Sequence, residues 1–271
     1  MRRINLNLIG QGRTADIFEY QEDKIIKLYK KDFPKNAINQ EFLISNFTYS
    51  LGIPTPQPFE LKDLNGRHGI IFQRISGLSL LKMMSMKPWS IHKHSRTLAT
   101  LHSELHTHDA GGELRKQKII ISENIKATPL LTEEEKEKII NYLVSLPDDN
   151  KLCHGDFHPD NVLFDGDHWI VDWMTGMSGN PAGDVARSVL LFSFGSMPEG
   201  TPKTIKSVVN FMRNKMKAEY IKKYLDITRI SYSEIDNWIL PIAAARIVEW
   251  IPKEEQDKLL TLIKDRLRTI S

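Results

Sequence analysis

Three polar side chains near the middle of the chain have the residue types and spacing that phosphoryl transfer requires. Asp156 lies in the run His-Gly-Asp-Phe-His-Pro-Asp-Asn, which spans residues 154–161 and ends at Asn161, and Asp172 follows eleven positions later. A carboxylate can accept a hydroxyl proton, and a carboxamide together with a second carboxylate can hold Mg²⁺ on a nucleoside triphosphate. The pattern therefore predicts Asp156 as the catalytic residue and Asn161 and Asp172 as metal ligands.

The residues around these groups predict how they are brought together. Pro159 prevents a helix from running through the segment, so a loop is expected between Asp156 and Asn161. Two short apolar runs follow, residues 162–164 and 169–171, joined by a turn that contains glycine. Such a pattern is typical of a β-hairpin. The hairpin is expected to return Asp172 to the side of Asn161.

Two other interpretations of this segment remain open from the residues alone. Alternating His154, Asp156 and His158 would share one face of a strand and could form a divalent metal site of a hydrolase. A purely structural polar loop is the second alternative. The hydrolase site gives no role to Pro159 or Asn161. Five further histidines are interpreted as surface or helix-packing residues: His92, His94, His102, His106 and His108.

Several fixed positions together resemble a known family. The 154–161 octet, Asp172, and the run Gly-Asn-Pro at 179–181 followed by Asp184 are similar to the aminoglycoside phosphotransferase and choline kinase group of the protein-kinase-like superfamily. The resemblance implies an α+β, two-lobed fold: a small β-rich nucleotide-binding lobe over residues 1–75, and a larger, mostly helical catalytic and acceptor-binding lobe over residues 76–271. It also implies that Asp184 hydrogen-bonds the catalytic loop from below.

The same resemblance assigns nucleotide-binding roles to the first part of the chain. Gly10 and Gly12 resemble a glycine-rich loop whose backbone N–H groups cover the phosphates, and Ile17 would pack on the adenine. Lys27 lies in an apolar strand-like run, and a lysine on such a face requires an anion. Glu41 follows fourteen residues later in a helical pattern. Together these two resemble the ion pair that orients a kinase lysine on the α- and β-phosphates.

The apolar segment over residues 70–75 has two interpretations. Residues 70–75 read as a buried strand that is interrupted at Ser76 and Gly77. In the family this is the hinge, so the main-chain groups of Gln73, Arg74 and Ile75 are expected to bond the adenine edge. A core strand followed by a turn explains the same residues. The two interpretations are compatible.

Composition and charge limit the classes of protein that remain. The chain is 41% hydrophobic and 26% charged, contains one cysteine, and has no run approaching the ~20 apolar residues of a membrane span. A globular protein of the reducing cytoplasm, without a membrane or nucleic-acid partner, is expected. The net charge of +3 lies in residues 1–75, which hold 11 Lys/Arg against 8 Asp/Glu. That excess suits a polyanionic nucleotide and is too weak for a nucleic-acid platform.

Departures from the protein-kinase pattern favour a small hydroxylated acceptor. Gly155 stands where protein kinases place an arginine before the catalytic aspartate, and only eleven residues separate Asp172 from Asp184, so no long regulatory loop is expected. Met174 stands where some relatives carry a second acidic residue, which puts a second metal ion in doubt. We predict a kinase that uses ATP or GTP with Mg²⁺. A protein or peptide kinase and a catalytically idle nucleotide-binding protein are the alternatives.

The remaining patterns predict helices but do not identify the acceptor molecule. Glu249 is singled out as a candidate acceptor contact, with a surface charge on a helix as its alternative. The electrical balance of residues 76–271 suggests an acceptor that is neutral or carries few positive charges. Oligomeric state is left undetermined. Helices are predicted over residues 37–49, 89–109, 132–146, 182–193, 207–225, 233–250 and 254–268.

Overall fold

The structure is a computed structural model that describes residues 6–194, 202–249 and 251–270. Its strands are β1 Leu8–Gln11, β2 Ala15–Gln21, β3 Lys24–Tyr29, β4 Pro58–Leu64, β5 Arg67–Gln73, β6 Leu78–Ser79, β7 Lys151–Cys153, β8 Val162–Phe164, β9 His168–Ile170 and β10 Met177–Gly179. Its helices are α1 Lys35–Ser50, α2 Leu80–Met86, α3 Ile91–Leu105, α4 Gln117–Ala127, α5 Glu133–Ser145, α6 Pro181–Phe194, α7 Lys203–Thr228, α8 Tyr232–Arg246 and α9 Lys253–Leu267. The predicted α+β fold, with a small β-rich N-lobe and a larger helical C-lobe, is confirmed.

Contacts within the chain define two compact units. One comprises the described residues of Met1–Lys82 together with Asp160–Gly176, and the other comprises Met83–Pro159 and the described residues of Met177–Ser271. We call them the nucleotide unit and the helical unit. The functional division into residues 1–75 and 76–271 stays a prediction.

A five-stranded antiparallel sheet, in the order β1-β2-β3-β5-β4, forms the larger part of the nucleotide unit. Alternation along β3 sends Ile26 and Leu28 into one apolar cluster and Tyr29 into another, where it packs with Ile38 of α1. Lys27 lies two positions before Tyr29, so the two side chains point to the same face of the sheet. Helix α1 covers this face, which explains how a lysine in this strand becomes buried.

The predicted hairpin after the catalytic loop is present. Strands β8 and β9 pair with Val162 opposite Ile170, and β6 adds a third strand on the outer side of β8. Beyond the last strand pair, the N–H of Val171 donates to the carbonyl oxygen of Asn161 at 3.0 Å. Asp172 is the next residue, so the hairpin does return it to the side of Asn161 within the nucleotide unit.

The helices of the second unit are close to those expected, with differences at their ends. The predicted helix over 89–109 is a short 3-10 turn, Pro88–Ser90, followed by α3, which ends at Leu105. The predicted helix over 233–250 ends at Arg246, and Trp250 lies outside the described residues. Thr132 and Glu135 form the capping box that opens α5. Among the described residues, no helix is both long and apolar enough to cross a membrane.

Helix α4 has no counterpart among the predicted elements. It contains three consecutive isoleucines, residues 119–121, which are β-branched and favour strands by intrinsic preference. In the structure Ile121 and Ile125 share one helix face and are buried, because α4 packs against α8. Packing between helices therefore outweighs the local preference here.

Candidate active site

Lys27 is held between two carboxylates in the nucleotide unit. Its Nζ lies 2.6 Å from Oε1 of Glu41 and 2.7 Å from Oδ1 of Asp172, and the residue is 8% exposed. Burial by itself lowers the pKa of Lys27, but the charges of Asp172 and Glu41 outweigh burial and raise the pKa above its ordinary value. The ammonium group is therefore charged and fixed in direction, as a phosphate-binding lysine must be.

Tyr29 adds a contact to this ion pair that the sequence analysis missed. Its hydroxyl donates to Oε2 of Glu41 at 2.5 Å, so the two oxygens of Glu41 are bound by two side chains of the same strand. Burial and the charge of Glu41 raise the pKa of Tyr29, which keeps its hydroxyl protonated. The signal in the sequence was the two-residue spacing from Lys27, which places both side chains on one strand face.

Asp172 has an unusual backbone conformation for a residue with a side chain. Its φ of 67° and ψ of 66° lie in the left-handed region, where aspartate is tolerated better than most residues. The next residue, Trp173, is buried, and its Nε1 donates to Oγ1 of Thr55 at 3.0 Å. Such strain persists only where surrounding contacts fix it, and it is common at functional sites. The Asp172 side chain nevertheless stays 43% exposed.

Asn161 and Asp172 provide the donor atoms that Mg²⁺ prefers. Asn161 ends a short 3-10 turn, Pro159–Asn161, and is 7% exposed, and its main chain is joined to Val171 as described above. A carboxamide oxygen and a carboxylate oxygen are hard ligands, and triphosphate oxygens and waters complete the usual coordination of Mg²⁺. The residues therefore fit one such ion. Met174 packs against the apolar cluster of the sheet, where it offers no oxygen ligand.

The predicted glycine-rich loop is the connection between β1 and β2. Gly10 of β1 pairs with Ile17 of β2, and Ile17 also pairs with Lys27 of β3. The N–H of Gly12 donates to the carbonyl of Ala15 at 2.8 Å. A Cβ at Gly12 would approach that carbonyl oxygen to 3.2 Å, which is tighter than most Cβ contacts. The hairpin is thus present, and contact of Gly10, Gly12 and Ile17 with a nucleotide stays a prediction.

The predicted hinge residues follow the end of β5, and two of their amides already have partners. The N–H of Gln73 donates to Gln57 at 2.9 Å, and the N–H of Arg74 donates to the carbonyl of Asp23 at 2.8 Å. Recognition of an adenine edge by this segment would therefore depend on its carbonyl groups and on the amide of Ile75. The prediction that Gln73, Arg74 and Ile75 all bond the base is therefore limited to these remaining groups.

Asp156 belongs to the helical unit and lies in the loop after β7. Its side chain is 29% exposed, with Nε2 of His158 3.4 Å from Oδ2 and Nη2 of Arg187 3.4 Å from Oδ1. Burial raises the pKa of Asp156, but the hydrogen bond to His158 and the charge of Arg187 together hold it below its usual range. A carboxylate that stays ionised can accept a hydrogen bond from a hydroxyl group.

Asp184, at the start of α6, holds the backbone of the predicted catalytic loop. Its Oδ2 accepts from the N–H of His154 at 2.6 Å, and its Oδ1 accepts from the N–H of Gly155 at 2.8 Å. Asp184 is 1% exposed, and these bonds to buried amides are the contacts that the family resemblance implied. Because the amides immediately precede Asp156, Asp184 fixes the base of the loop.

Two histidines that were interpreted as packing residues belong to a buried polar network. Nε2 of His102 and Nε2 of His106 lie 3.0 and 3.3 Å from Oδ2 of Asp184. On their other side, the two Nδ1 atoms meet the hydroxyls of Tyr220 and Tyr224 at 2.5 and 2.7 Å. The sequence signal was two matching four-residue spacings, one at the C-terminal end of α3 and one on α7, since residues i and i+4 share a helix face.

This network is a hydrogen-bond network in which each ring can be neutral. If each imidazole donates from Nε2 and accepts at Nδ1, each tyrosine donates and Asp184 only accepts, so every polar group is satisfied. His102, His106 and Asp184 are also the one cluster of metal-ligand type among the described residues, with ligand atoms within 4.8 Å. Since those atoms already have partners, we interpret it as structural. His154, Asp156 and His158 form no such cluster in the described chain, which removes support for the hydrolase alternative.

The network makes a testable contribution to the pH dependence of stability. Burial, followed by the neighbouring His106, lowers the pKa of His102 to about 3 from an ordinary value of 6.5. Between those values the unfolded chain binds a proton that the folded chain excludes, so acidification destabilises the fold by up to about 1.4 kcal/mol per pH unit. We expect His102→Gln to reduce the slope of unfolding free energy against pH between 4 and 6.5, measured by urea denaturation.

A matched variant on the same helix controls this measurement. His92 is about half exposed and lies outside this network, beside Glu219, so His92→Gln should leave the slope unchanged. Titration of Asp184 does not affect this comparison. Although burial raises the pKa of Asp184, its neighbouring histidines hold that pKa well below 3.8, so the stability that its ionised form contributes is lost only in more acidic solution. Equal slopes for wild type and His102→Gln would show that the imidazole is not excluded from protonation.

Glu249 is not an unoccupied acceptor-binding carboxylate. Its Oε1 accepts from Nη1 of Arg187 at 2.6 Å, and its Oε2 accepts from Nη2 of Arg187 at 2.9 Å and from Nη1 of Arg246 at 2.6 Å. Two guanidinium groups therefore neutralise it. The suggestion that Glu249 contacts the acceptor and the alternative of a solvated helix charge both miss this pairing, which joins residues far apart in sequence.

Comparison with known proteins agrees with the motifs and the fold. The model of the phosphotransferase enzyme family matches residues 5–202. The chain therefore belongs to this family. No curated protein sequence matches the chain significantly.

Solved structures show the same two-lobed fold at low sequence identity. The streptomycin–ATP ternary complex of APH(2″)-IIa superposes with a TM-score of 0.61 at 16% identity, covering 97% of this chain and 92% of that chain. An aminoglycoside-3′-phosphotransferase of type VIII gives 0.60 at 14% identity, covering 89% and 93%. A choline/ethanolamine kinase family protein from Mesorhizobium loti gives 0.58 at 15% identity, covering 98% and 92%.

Proposed function

We propose that the protein is a cytoplasmic, magnesium-dependent kinase that transfers the γ-phosphoryl group of ATP or GTP to a hydroxyl of a small molecule. The observation that carries the proposal is Lys27, whose ammonium group is buried and fixed between Glu41 and Asp172. A structural lysine needs only one partner carboxylate. A lysine placed between a helix glutamate and a prospective metal ligand is arranged for the α- and β-phosphates of a nucleotide.

The nucleotide unit supplies the groups that would bind and orient the triphosphate. The β1–β2 turn that contains Gly10 and Gly12 covers the phosphates, Lys27 contributes its charge, and Ile17 packs on the base. Asn161 and Asp172 hold Mg²⁺, which when bound neutralises charge on the β- and γ-phosphate oxygens. The ATP and GDP complexes named among the structural neighbours are consistent with either nucleotide.

Asp156 carries the acceptor half of the reaction. The acceptor hydroxyl donates its hydrogen bond to the carboxylate, which directs a lone pair of the acceptor oxygen toward the γ-phosphorus. As the new oxygen–phosphorus bond forms, the bond to the nucleoside diphosphate breaks and the hydroxyl proton passes to Asp156. Positioning and charge stabilisation account for most of the rate enhancement in such transfers.

The short chain between Asp172 and Asp184 favours a small acceptor over a protein. This segment is folded as a 3-10 turn over Trp173–Thr175, strand β10 and the beginning of α6, which leaves no long stretch to serve as a regulated activation loop. Small molecules also appear in the names of the structural neighbours, streptomycin in one complex and choline or ethanolamine in the kinase family of another. The balanced charge of residues 76–271 suggests a neutral or weakly cationic acceptor.

A transfer screen tests the proposal. We expect γ-labelled ATP or GTP with Mg²⁺ to place phosphate on a hydroxylated compound from a panel of aminoglycosides, amino alcohols, sugars and nucleosides, and not on casein. Asp156→Asn protein, prepared identically, is the control for contaminating kinases. Efficient labelling of casein with no labelled small molecule would favour the protein-kinase alternative, and absence of nucleotide binding would contradict both.

A further inference from the structure

One face of α6 holds the catalytic loop at three places. Asp184 binds the amides of His154 and Gly155, and Ser188 donates from Oγ to the carbonyl of Phe157 at 2.8 Å. Arg187 lies between these two on the same face, since residues separated by three or four positions are neighbours on a helix. It is the member of the three that reaches the Asp156 side chain.

The guanidinium of Arg187 joins three different groups. Its Nε donates to the carbonyl of Gly155 at 3.1 Å, Nη2 lies 3.4 Å from Oδ1 of Asp156, and both Nη atoms bind the carboxylate of Glu249 at 2.6 and 2.9 Å. The side chain is 11% exposed. A planar fork of donors can serve three acceptors at fixed angles, which a lysine cannot do.

Glu249 is itself held from behind. Arg246 binds Oε2 of Glu249 through Nη1, and its Nε and Nη2 bind Oε1 of the buried Glu255 at 2.9 and 2.6 Å. The charges therefore alternate from Asp156 through Arg187, Glu249 and Arg246 to Glu255. Because Arg187 is clamped from the far side, its position relative to Asp156 does not depend on Asp156 alone.

The backbone at Gly155 explains why this charge comes from a helix. Gly155 has a φ of 78°, a conformation that side-chain-bearing L-residues rarely adopt. An arginine at this position, as in the protein-kinase pattern, would be strained. Arg187 instead approaches the loop from α6 and binds the Gly155 carbonyl, so a cation reaches the catalytic carboxylate without a side chain at position 155.

We propose that Arg187 is a positioning residue for phosphoryl transfer, which holds the loop at Gly155 and orients the Asp156 carboxylate while Glu249 clamps it. This inference rests on the proposed role of Asp156 as the group that accepts the acceptor hydroxyl. Arg187 then makes two separable contributions. The geometric one holds the loop and the Asp156 side chain in place and requires the planar set of guanidinium donors. The electrostatic one stabilises the ionised Asp156 and requires only the positive charge.

The electrostatic contribution has a definite sign. The charged or titratable groups that bear on Asp156 are His154 and His158 in the loop and Arg187 from α6, with Glu249 behind Arg187. Removing the Arg187 guanidinium destabilises the ionised carboxylate, so the pKa of Asp156 should rise by about one unit or more. Since the ionised form accepts the hydroxyl, the acid limb of the rate profile should move to higher pH in step.

Three variants separate the two contributions. Arg187→Met removes charge and fork, and should raise the titration midpoint of Asp156 and lower turnover by about 10-fold to 100-fold. Arg187→Lys keeps the charge alone, so its midpoint should stay near wild type while turnover falls. Glu249→Gln keeps Arg187 but weakens its clamp and removes a negative charge, so turnover should fall with a midpoint that is unchanged or lower.

The readout does not require an identified acceptor. Carbon-13 NMR of protein labelled at aspartate Cγ follows the titration of Asp156, assigned by its loss in Asp156→Asn, and hydrolysis of Mg·ATP with water as acceptor gives turnover against pH. Arg266→Met is the matched control, because Arg266 forms a comparable two-bonded pair with Asp236 on α8. It should change neither midpoint nor turnover.

The results distinguish failure of this inference from failure of the proposed function. An Asp156 midpoint that is the same in Arg187→Met and wild type would overturn the inference even if the protein binds and uses nucleotide. If Arg187→Met does not fold, the comparison of Arg187→Lys with Glu249→Gln decides, since wild-type turnover in both variants would overturn it. Absence of nucleotide binding by wild type would instead reject the proposed function and leave the NMR result standing.

Discussion

Replacing Asp156 with alanine should lower turnover by roughly 10² to 10⁴ while the affinity for Mg·ATP stays close to that of wild type. Asp156 belongs to the loop that α6 holds, whereas the proposed phosphate and metal ligands belong to the nucleotide unit. The substitution removes the group that orients and deprotonates the acceptor hydroxyl and leaves Lys27, Asn161 and Asp172 in place. Acceptor-dependent turnover, together with calorimetric titration of nucleotide, would measure the two effects separately.

Two further variants complete this test. Asp156→Asn keeps the size of the side chain and loses its charge, so it should be nearly as impaired as Asp156→Ala. Asp109→Ala removes an exposed carboxylate that pairs with Lys151 at the surface of the same unit, and it should behave as wild type. Full turnover of Asp156→Ala on an identified acceptor would show that the assigned role is wrong.

The second large effect is expected on nucleotide binding. Asp172→Ala should weaken binding of Mg·ATP by about 10-fold to 100-fold, the equivalent of one lost charge-assisted interaction of about 1.5–3 kcal/mol. The variant loses a proposed metal ligand and one of the two carboxylates that orient Lys27. Because the proposed binding mode depends on the metal, EDTA should cause a loss at least as large. Calorimetry with and without Mg²⁺ would measure both.

A carboxylate in the same hairpin provides the control. Asp167 is exposed in the turn between β8 and β9, where its side chain bears on neither Lys27 nor the predicted metal ligands, so Asp167→Ala should retain wild-type affinity. If Asp172→Ala bound Mg·ATP as tightly as wild type, Asp172 would not be a metal ligand. In that case its contact with Lys27 would be purely structural.

Local sequence was sufficient for the parts of the site that lie within short segments. The loop at Pro159, the apolar runs on both sides of a glycine turn and the two-residue alternation along β3 each follow from the conformational preferences of the residues themselves. They predicted the hairpin that returns Asp172 to Asn161 and the strand face that Lys27 shares with Tyr29. The pairing of Lys27 with Glu41 came from the family resemblance, and the structure confirms it at 2.6 Å.

Local sequence was misleading where packing between distant segments decides the outcome. Three isoleucines in a row favour a strand, yet they lie in helix α4, because that helix buries Ile121 and Ile125 against its neighbours. Glu249 reads as a solvated helix charge until Arg187, 62 positions earlier, is brought against it. His102 and His106 read as helix-packing residues, and only Asp184 and the α7 tyrosines show that they complete a polar network.

The sequence by itself determined the predicted chemistry of the site: a carboxylate in a proline-broken loop, two candidate oxygen ligands that a hairpin returns to one place, and a lysine on an apolar strand. These features follow from residue type and short-range spacing, both of which can be read directly from the sequence. The tertiary structure alone decided how the groups are oriented, through the hydroxyl of Tyr29 on Glu41 and the guanidinium of Arg187 beside Asp156. Such contacts depend on the packing of helices and strands that are distant in sequence, and local conformational preferences do not predict which side chains will be in contact.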